Sequence, residues 1–227
     1  MKNIILSILL LSASFGAFAQ TNQFASAQDS DKASVKVLED MKAQYLSYSS
    51  VEADFVLTIE LPEEDAEIQK GTIKKQGESY HLNMNGQQII SNGKQLWFYQ
   101  PNNNLVQINT VDPDADEDEM LSPQNFLKFY EEGKFVAAPM TVANEKGKPV
   151  RWIELKPVDA ESEYFKFRIA LDIKKNELRN IKAFSRDGSR YTLLIEKLTP
   201  NKTFGVENFI FDATKYPGVE IEDLRVE

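Results

Sequence analysis

A single histidine, no cysteine, and 35 acidic against 26 basic residues limit the chemistry open to this chain of 227 residues. Without cysteine there is no thiol nucleophile, no Cys-ligated zinc or iron–sulfur cluster, no disulfide scaffold, and no residue to take the lipid of a bacterial lipoprotein. With only His81, two-His and three-His metal sites are excluded, and a Ser-His-Asp triad would have to use that one ring. No Gly-x-Ser-x-Gly elbow accompanies it. Between Tyr80 and Leu82 on a strand, His81 points away from both, toward solvent or the outer face of a sheet, which reads as a surface histidine. Asp112, Asp114 and Asp116 begin like a calcium loop, but Glu117, Glu119 and Pro123 stand where that loop needs glycine, an aliphatic residue and glutamate. Six of the eight residues 112–119 are acidic, so this reads as a solvated loop with no metal. Phosphate-cradling glycine loops are absent and no pair of carboxylates is singled out by spacing. No catalytic residue, no cofactor and no enzymatic activity is expected.

The apolar residues are more distinctive. Phe 14, Tyr 8 and Trp 2 are densest at Leu96-Trp97-Phe98-Tyr99, where Trp97 and Tyr99 load one face of a strand and Leu96 and Phe98 the other. Such a strand must be covered on both sides, and a sheet covered by helices that can move would offer an apolar cavity. The net charge of −9 argues against nucleic acid and predicts repulsion from anionic lipid surfaces.

The positioning elements follow from periodicity. Ala33, Val37, Leu38, Met41, Tyr45 and Tyr48 recur at three- and four-residue steps, which predicts an amphipathic helix over 31–49 capped by Ser30 or Asp31. Val51, Ala53, Phe55, Leu57 and Ile59 alternate with polar residues as a half-buried strand. Short runs at 68–75, 79–84, 87–91, 95–100 and 104–110 follow, divided by turn pairs such as Asn85-Gly86 and Asn92-Gly93 that join antiparallel neighbours. Ser122-Pro123 opens a second helix that ends at Gly133 and carries Phe126, Leu127, Phe129 and Tyr130. Strands resume at 134–138, 150–156, 164–173, 177–186, 190–198 and 208–212. Ten or eleven strands and two helices predict a mainly β domain, a large antiparallel sheet that curls into a half-barrel plugged by helices.

Met1-Lys2-Asn3, the short apolar run Ile4 to Leu11 and Ala17-Phe18-Ala19 read as a Sec signal peptide, residues 1–19. Residues 20–30 then form a flexible leader and 31–227 a single domain, exported and soluble.

From Val51 onward the order of features resembles the periplasmic outer-membrane lipoprotein carrier family, LolA. The most specific stretch is Ile89-Ile90-Ser91-Asn92-Gly93-Lys94-Gln95-Leu96-Trp97-Phe98-Tyr99-Gln100-Pro101: an apolar strand, an Asn-Gly-Lys turn, then Leu-Trp-x-Tyr. Val51-Glu52-Ala53-Asp54-Phe55, Gly71-Thr72-Ile73-Lys74 and the ending from Phe209-Ile210-Phe211 to Asp223-Leu224-Arg225 support it, so it spans 32–225. The resemblance implies an incomplete antiparallel β-barrel with a helical lid, which carries acylated lipoproteins through the periplasm as a monomer. It implies two further partners, an inner-membrane ABC transporter that loads the carrier and an outer-membrane receptor that unloads it. The receptor shares the fold but needs a lipidated cysteine, where this chain has Gln20. A sensor of mislocalised lipoproteins shares it too, so a periplasmic sensor or interaction domain binding apolar segments or another lipid stays open. The family's lid-latching Arg-Pro is replaced here by Lys74-Lys75-Gln76-Gly77; Lys75 is the candidate latch, a flexible point charge without the arginine fork.

On this reading the lipid-binding cavity is walled by Phe55, Leu57, Leu82, Met84, Trp97, Tyr99, Phe167, Ile169 and Leu171, and the lid carries Met41, Tyr45, Phe126, Phe129 and Tyr130. Core and cavity wall use the same residue types, and spacing does not separate them.

Overall fold

The computed structural model describes residues 26–111, 133–145 and 147–225. The signal peptide, the first residues of the leader, the acidic loop and the second helix with Phe126, Phe129 and Tyr130 lie outside the described residues.

Helix α1 (Lys32–Leu46) forms where the three- and four-residue spacing places it. Asp31 is the cap: its carboxylate accepts from the backbone N–H of Ser34 at 2.8 Å and from the Ser34 hydroxyl at 2.9 Å. Leu38, Met41 and Tyr45, one face of the helix, are buried.

Thirteen strands then make one sheet: β1 (Val51–Glu60), β2 (Glu67–Gln76), β3 (Ser79–Met84), β4 (Gln87–Ser91), β5 (Gln95–Gln100), β6 (Leu105–Thr110), β7 (Phe135–Ala137), β8 (Thr141–Glu145), β9 (Lys148–Pro157), β10 (Tyr164–Asp172), β11 (Leu178–Ser185), β12 (Arg190–Pro200) and β13 (Glu220–Asp223). Their order is β13-β6-β5-β4-β3-β2-β1-β12-β11-β10-β9-β7, with β8 also on β9. Two meanders therefore meet where β1 pairs β12 along their full lengths, Val51 opposite Pro200 and Glu60 opposite Arg190. The end strands β13 and β7 do not pair with each other, so the sheet curves without closing, the incomplete barrel expected from its size.

Asn85 (φ 51°) and Gly86 (φ 85°) both adopt the left-handed conformation a two-residue hairpin requires. At Asn92-Gly93 the device differs: the Asn92 side chain accepts from the N–H groups of Lys94 and Gln95 at 2.9 and 2.8 Å.

Three features depart from expectation. Residues 208–212, expected as a strand, comprise the end of one 3-10 turn, Val206–Phe209, and the link to a second, Ala213–Lys215, because this segment crosses over other strands and has no edge to pair with. Strand β8 was not expected, since its residues are almost all exposed and carry no alternation. Nor was β13, which pairs parallel to β6, Glu220 opposite Leu105, a partnership only tertiary proximity supplies.

The main core lies between α1 and one face of the sheet. Leu38, Met41 and Tyr45 pack with Phe55, Ile73, Leu82, Leu155, Phe167, Ile169, Leu171, Ile181 and Ile195. Both ends of the helix are tied down. At its start the Asp31 N–H donates to the Ala137 carbonyl and the Ser34 hydroxyl to the Ala138 carbonyl, each at 2.8 Å. In its first half the Asn176 side chain donates to the Val37 carbonyl at 3.2 Å, and near its end the Tyr45 hydroxyl accepts from the backbone N–H of Leu178 at 3.1 Å. Leu178 is beside the bulge that sets Leu171 opposite it, and burial pushes the Tyr45 phenol well above its ordinary pKa. Tyr45→Phe keeps the ring and leaves that N–H unsatisfied. Urea unfolding is expected to show a loss of about 1–3 kcal/mol, and an unchanged midpoint would remove the anchoring role.

Candidate functional site

Strand register decides which apolar residues share the face under α1. Phe55 is opposite Gly71 on one side and Ile195 on the other, Leu57 opposite Leu193, Leu82 opposite Ile73 and Ile89, and Met84 opposite Gly71. Phe167 stands opposite Leu155 and Ala183, and Ile169 opposite Ile153 and Ile181. Phe55, Leu57, Leu82, Met84, Phe167, Ile169 and Leu171 therefore come together with Met41 and Tyr45 in one apolar mass. Burial is uneven across it. Ile169 and Leu171 are fully buried, whereas Leu57, Met84 and Ile89 are half-buried at its β1–β4 side.

Gly71 belongs to this face for a packing reason. A Cβ there would sit 2.4 Å from Cζ of Phe55 and 2.9 Å from the Asn83 carbonyl oxygen, so only glycine leaves the Phe55 ring room to lie across β2. Lys75, paired with Val51 and Tyr80, stands on the same face, half-buried.

Trp97 and Tyr99 are not part of this face, which corrects the expected cavity wall. Trp97 is opposite Ile90 and Ile108 and Tyr99 opposite Gln88 and Val106, one position out of step with the row Leu82, Ile89 and Phe98. They form a second cluster with Ile90 and Val106 on the outer face. The C-terminal segment covers it: the Tyr99 ring lies 4.4 Å from that of Tyr216, and Phe211 stacks on Tyr216 at 4.9 Å. Phe98, Ile73, Ile181 and Leu193 are the face residues that sequence reasoning missed. Counting residues through the Asn85-Gly86 turn pairs Leu82 with Ile89, and the next hairpin pairs Ile89 with Phe98, so turn length was the available signal.

His81 is on the outer face, as its alternation implied, but it is no surface residue. Its Nδ1 is 3.1 Å from the Asn208 carbonyl oxygen and its Nε2 3.2 Å from Oε1 of Gln88, whose Nε2 donates to the Tyr216 hydroxyl at 2.7 Å. Neither partner of the ring is a nucleophile or a carboxylate. Among the described residues no three His, Cys, Asp or Glu side chains are grouped to hold a metal ion. A separate outer-face cavity of about 610 Å³ lies between the β8–β9 hairpin and β1, β11 and β12, lined by Val56, Val150, Leu194, Arg179 and Asn180.

An open, curved antiparallel sheet with an apolar face under a docked helix defines the fold class. The family described as "Outer membrane lipoprotein carrier protein LolA" matches residues 47–212, well over half of the chain, and the chain belongs to that family. Among curated proteins no sequence matches it. Of solved structures, an uncharacterized conserved protein from Thermus thermophilus is similar at 5% identity and TM-score 0.54, covering 85% of this chain and 99% of that one, a likeness of fold. A domain described as a putative outer membrane lipoprotein-sorting protein from Vibrio parahaemolyticus has 14% identity and TM-score 0.43, covering 78% and 96%. The MucA/MucB complex of Pseudomonas aeruginosa has 10% identity and TM-score 0.41, covering 80% and 62%. No helix among the described residues is long and apolar enough to cross a membrane.

Burial under the C-terminal segment pushes His81 below its ordinary value of 6.5; nearby Lys74 adds to this, and the Asn208 and Gln88 contacts oppose it. The folded protein therefore keeps the ring neutral at a pH where the unfolded chain binds a proton. The stability this confers is complete above 6.5 and is lost as pH falls through the lower folded value. Thermal unfolding of wild type is expected to weaken more steeply than that of His81→Gln on acidification below about pH 6.5. Equal slopes would refute a buried neutral histidine.

Proposed function

We propose that this chain is a periplasmic carrier that shields the acyl chains of lipoproteins against the α1-side face of its sheet and moves them from the inner to the outer membrane. The observation that carries this reading is the graded apolar face: a fully buried half around Phe167, Ile169 and Leu171, continuous with a half-buried half at Leu57, Met84 and Ile89. An acyl chain of about fifteen methylenes, at ~0.8 kcal/mol each, costs on the order of 12 kcal/mol to hold in water. Lipoproteins thus do not leave a bilayer unaided, and a carrier must offer a comparable apolar surface that it can also give up. The half-buried side suits that exchange: a thioether and branched aliphatic side chains repack around a flexible chain without a fixed fit.

In this reading Met41 and Tyr45 close the site from α1, and the remaining lid residues are Phe126, Phe129 and Tyr130. Lys75, beside Val51 and Tyr80, latches sheet to lid. Loading falls to an inner-membrane ABC transporter and unloading to an outer-membrane acceptor, with the carrier a soluble monomer between them. Family membership supports the cargo class.

Native mass spectrometry of protein recovered from the periplasm is expected to show acylated cargo on wild type. Leu57→Glu with Met84→Glu should lose most of it, and Val142→Glu, exposed on β8, should keep it. Cargo-free wild type bound instead to a non-acylated protein would replace the carrier with a sensor or interaction domain. Depletion that leaves outer-membrane lipoproteins correctly sorted would remove the shuttling role.

A further inference from the structure

The chain's net charge of −9 predicts repulsion from anionic surfaces, yet one face of the sheet runs against that average. On β9–β12 the residues facing away from α1 fall into cross-strand rows fixed by register. One row places Glu154, Arg168, Lys182 and Thr192 side by side, and the next places Lys166, Phe184 and Arg190, with Glu60 at its end. Lys156, next to the inward-facing Leu155, extends the second row on β9 and is exposed. These two rows thus hold five cations and two carboxylates, Glu154 and Glu60, while Asp172 and Glu196 lie on the same face toward the far ends of β10 and β12. Asp159, Glu161 and Glu163, in the loop after β9, lie at its margin.

Aromatic rings are set among the cations. The Lys166 ammonium lies 4.6 Å from the centre of the Phe184 ring and 6.0 Å from that of Phe165; the Arg168 guanidinium is 4.9 Å from the Trp152 ring, and the Lys182 ammonium 5.7 Å from it. Lys166 also pairs loosely with Glu154 at 3.8 Å. Phe165 itself is 45% exposed, so an apolar ring projects beside the charges.

We propose that this face docks the protein onto a bilayer carrying anionic phospholipid, and that the rest of the acidic surface, repelled by the same bilayer, orients it. The cations are spread over four adjacent strands, about 14 Å across at the usual strand spacing, rather than gathered in one cleft. That spread suits an array of phosphates better than a single acidic peptide. Interleaved cations and aromatic rings also match the headgroup level of a membrane, where phosphate and the edge of the hydrocarbon lie together. The docking face is on the opposite side of the sheet from the face assigned to cargo, and vesicle binding is read without cargo, so this inference and the carrier reading fail separately.

The test is flotation of the full mature chain with vesicles of phosphatidylcholine alone and of phosphatidylcholine mixed with phosphatidylglycerol. Binding is expected only to the mixed vesicles and should fall with added salt, since the Debye length is about 10 Å at 0.1 M. Lys156→Glu, Lys182→Glu and Arg190→Glu together should reduce partitioning more than about ten-fold. Lys36→Glu, Lys94→Glu and Lys215→Glu, the same charge change at exposed positions elsewhere, should reduce it far less. A milder pair at the two exposed cations, Lys156→Ser and Arg190→Ser, gives a smaller loss and guards against misfolding of the triple variant. Equal losses for both charge-reversed sets, or no binding to mixed vesicles, would overturn the proposal. Retention on immobilised polyglutamate without vesicle binding would assign the face to an acidic protein and overturn it as well.

Discussion

Phe167, Ile169, Leu155 and Ile181 cannot be left in water, and α1 is what covers them. Each is at most 3% exposed, beneath a helix that contributes Leu38, Met41 and Tyr45. A helix seated on the curved side of an open sheet needs more than apolar contact to hold one position. The hydrogen bonds at its two ends, from Ser34 to Ala138 and from Leu178 to Tyr45, provide that fixing. The fully buried half of the face is stabilised by this docking, and the half-buried residues Leu57, Met84 and Ile89 continue it beyond the most tightly packed part.

A sheet with heavy side chains on both faces needs a second cover. The crossing from Phe204 to Val219 supplies it over Trp97, Tyr99, Ile90 and Val106, with β13 fastening its end alongside β6. This cover also buries His81, whose ring nitrogens meet the Asn208 carbonyl and the Gln88 side chain beneath the strap. Among the described residues no such strap crosses the outer face of β9–β12, and there the side chains change from aromatic core to interleaved cations and rings. One sheet thus presents three different surfaces to its surroundings, according to what crosses over each part.

Much of this was legible in the order of residues. The spacing of Leu38, Met41 and Tyr45 predicts α1 and its buried side; the Asn-Gly pairs predict the hairpins; the number of strands predicts curvature. The 3-10 turns near 208–212 were not legible, because Phe209, Ile210 and Phe211 have strand-like composition while their backbone has no neighbouring edge to bond. Strand β13 was hidden for the converse reason: Glu220–Asp223 is polar and exposed, and its strand form comes from pairing with β6.

Trp97 and Tyr99 mark the boundary between what residue order implies and what packing in space selects. Alternation alone establishes that Trp97 and Tyr99 face one way and Leu96 and Phe98 the other, because successive side chains of a strand must oppose each other. It also establishes that both faces must be covered. It does not establish which face receives α1 and which the C-terminal segment. That choice depends on register carried from Leu82 through two hairpins and on a strap more than a hundred residues away in sequence, and packing energy depends on which atoms meet in space rather than on their order along the chain.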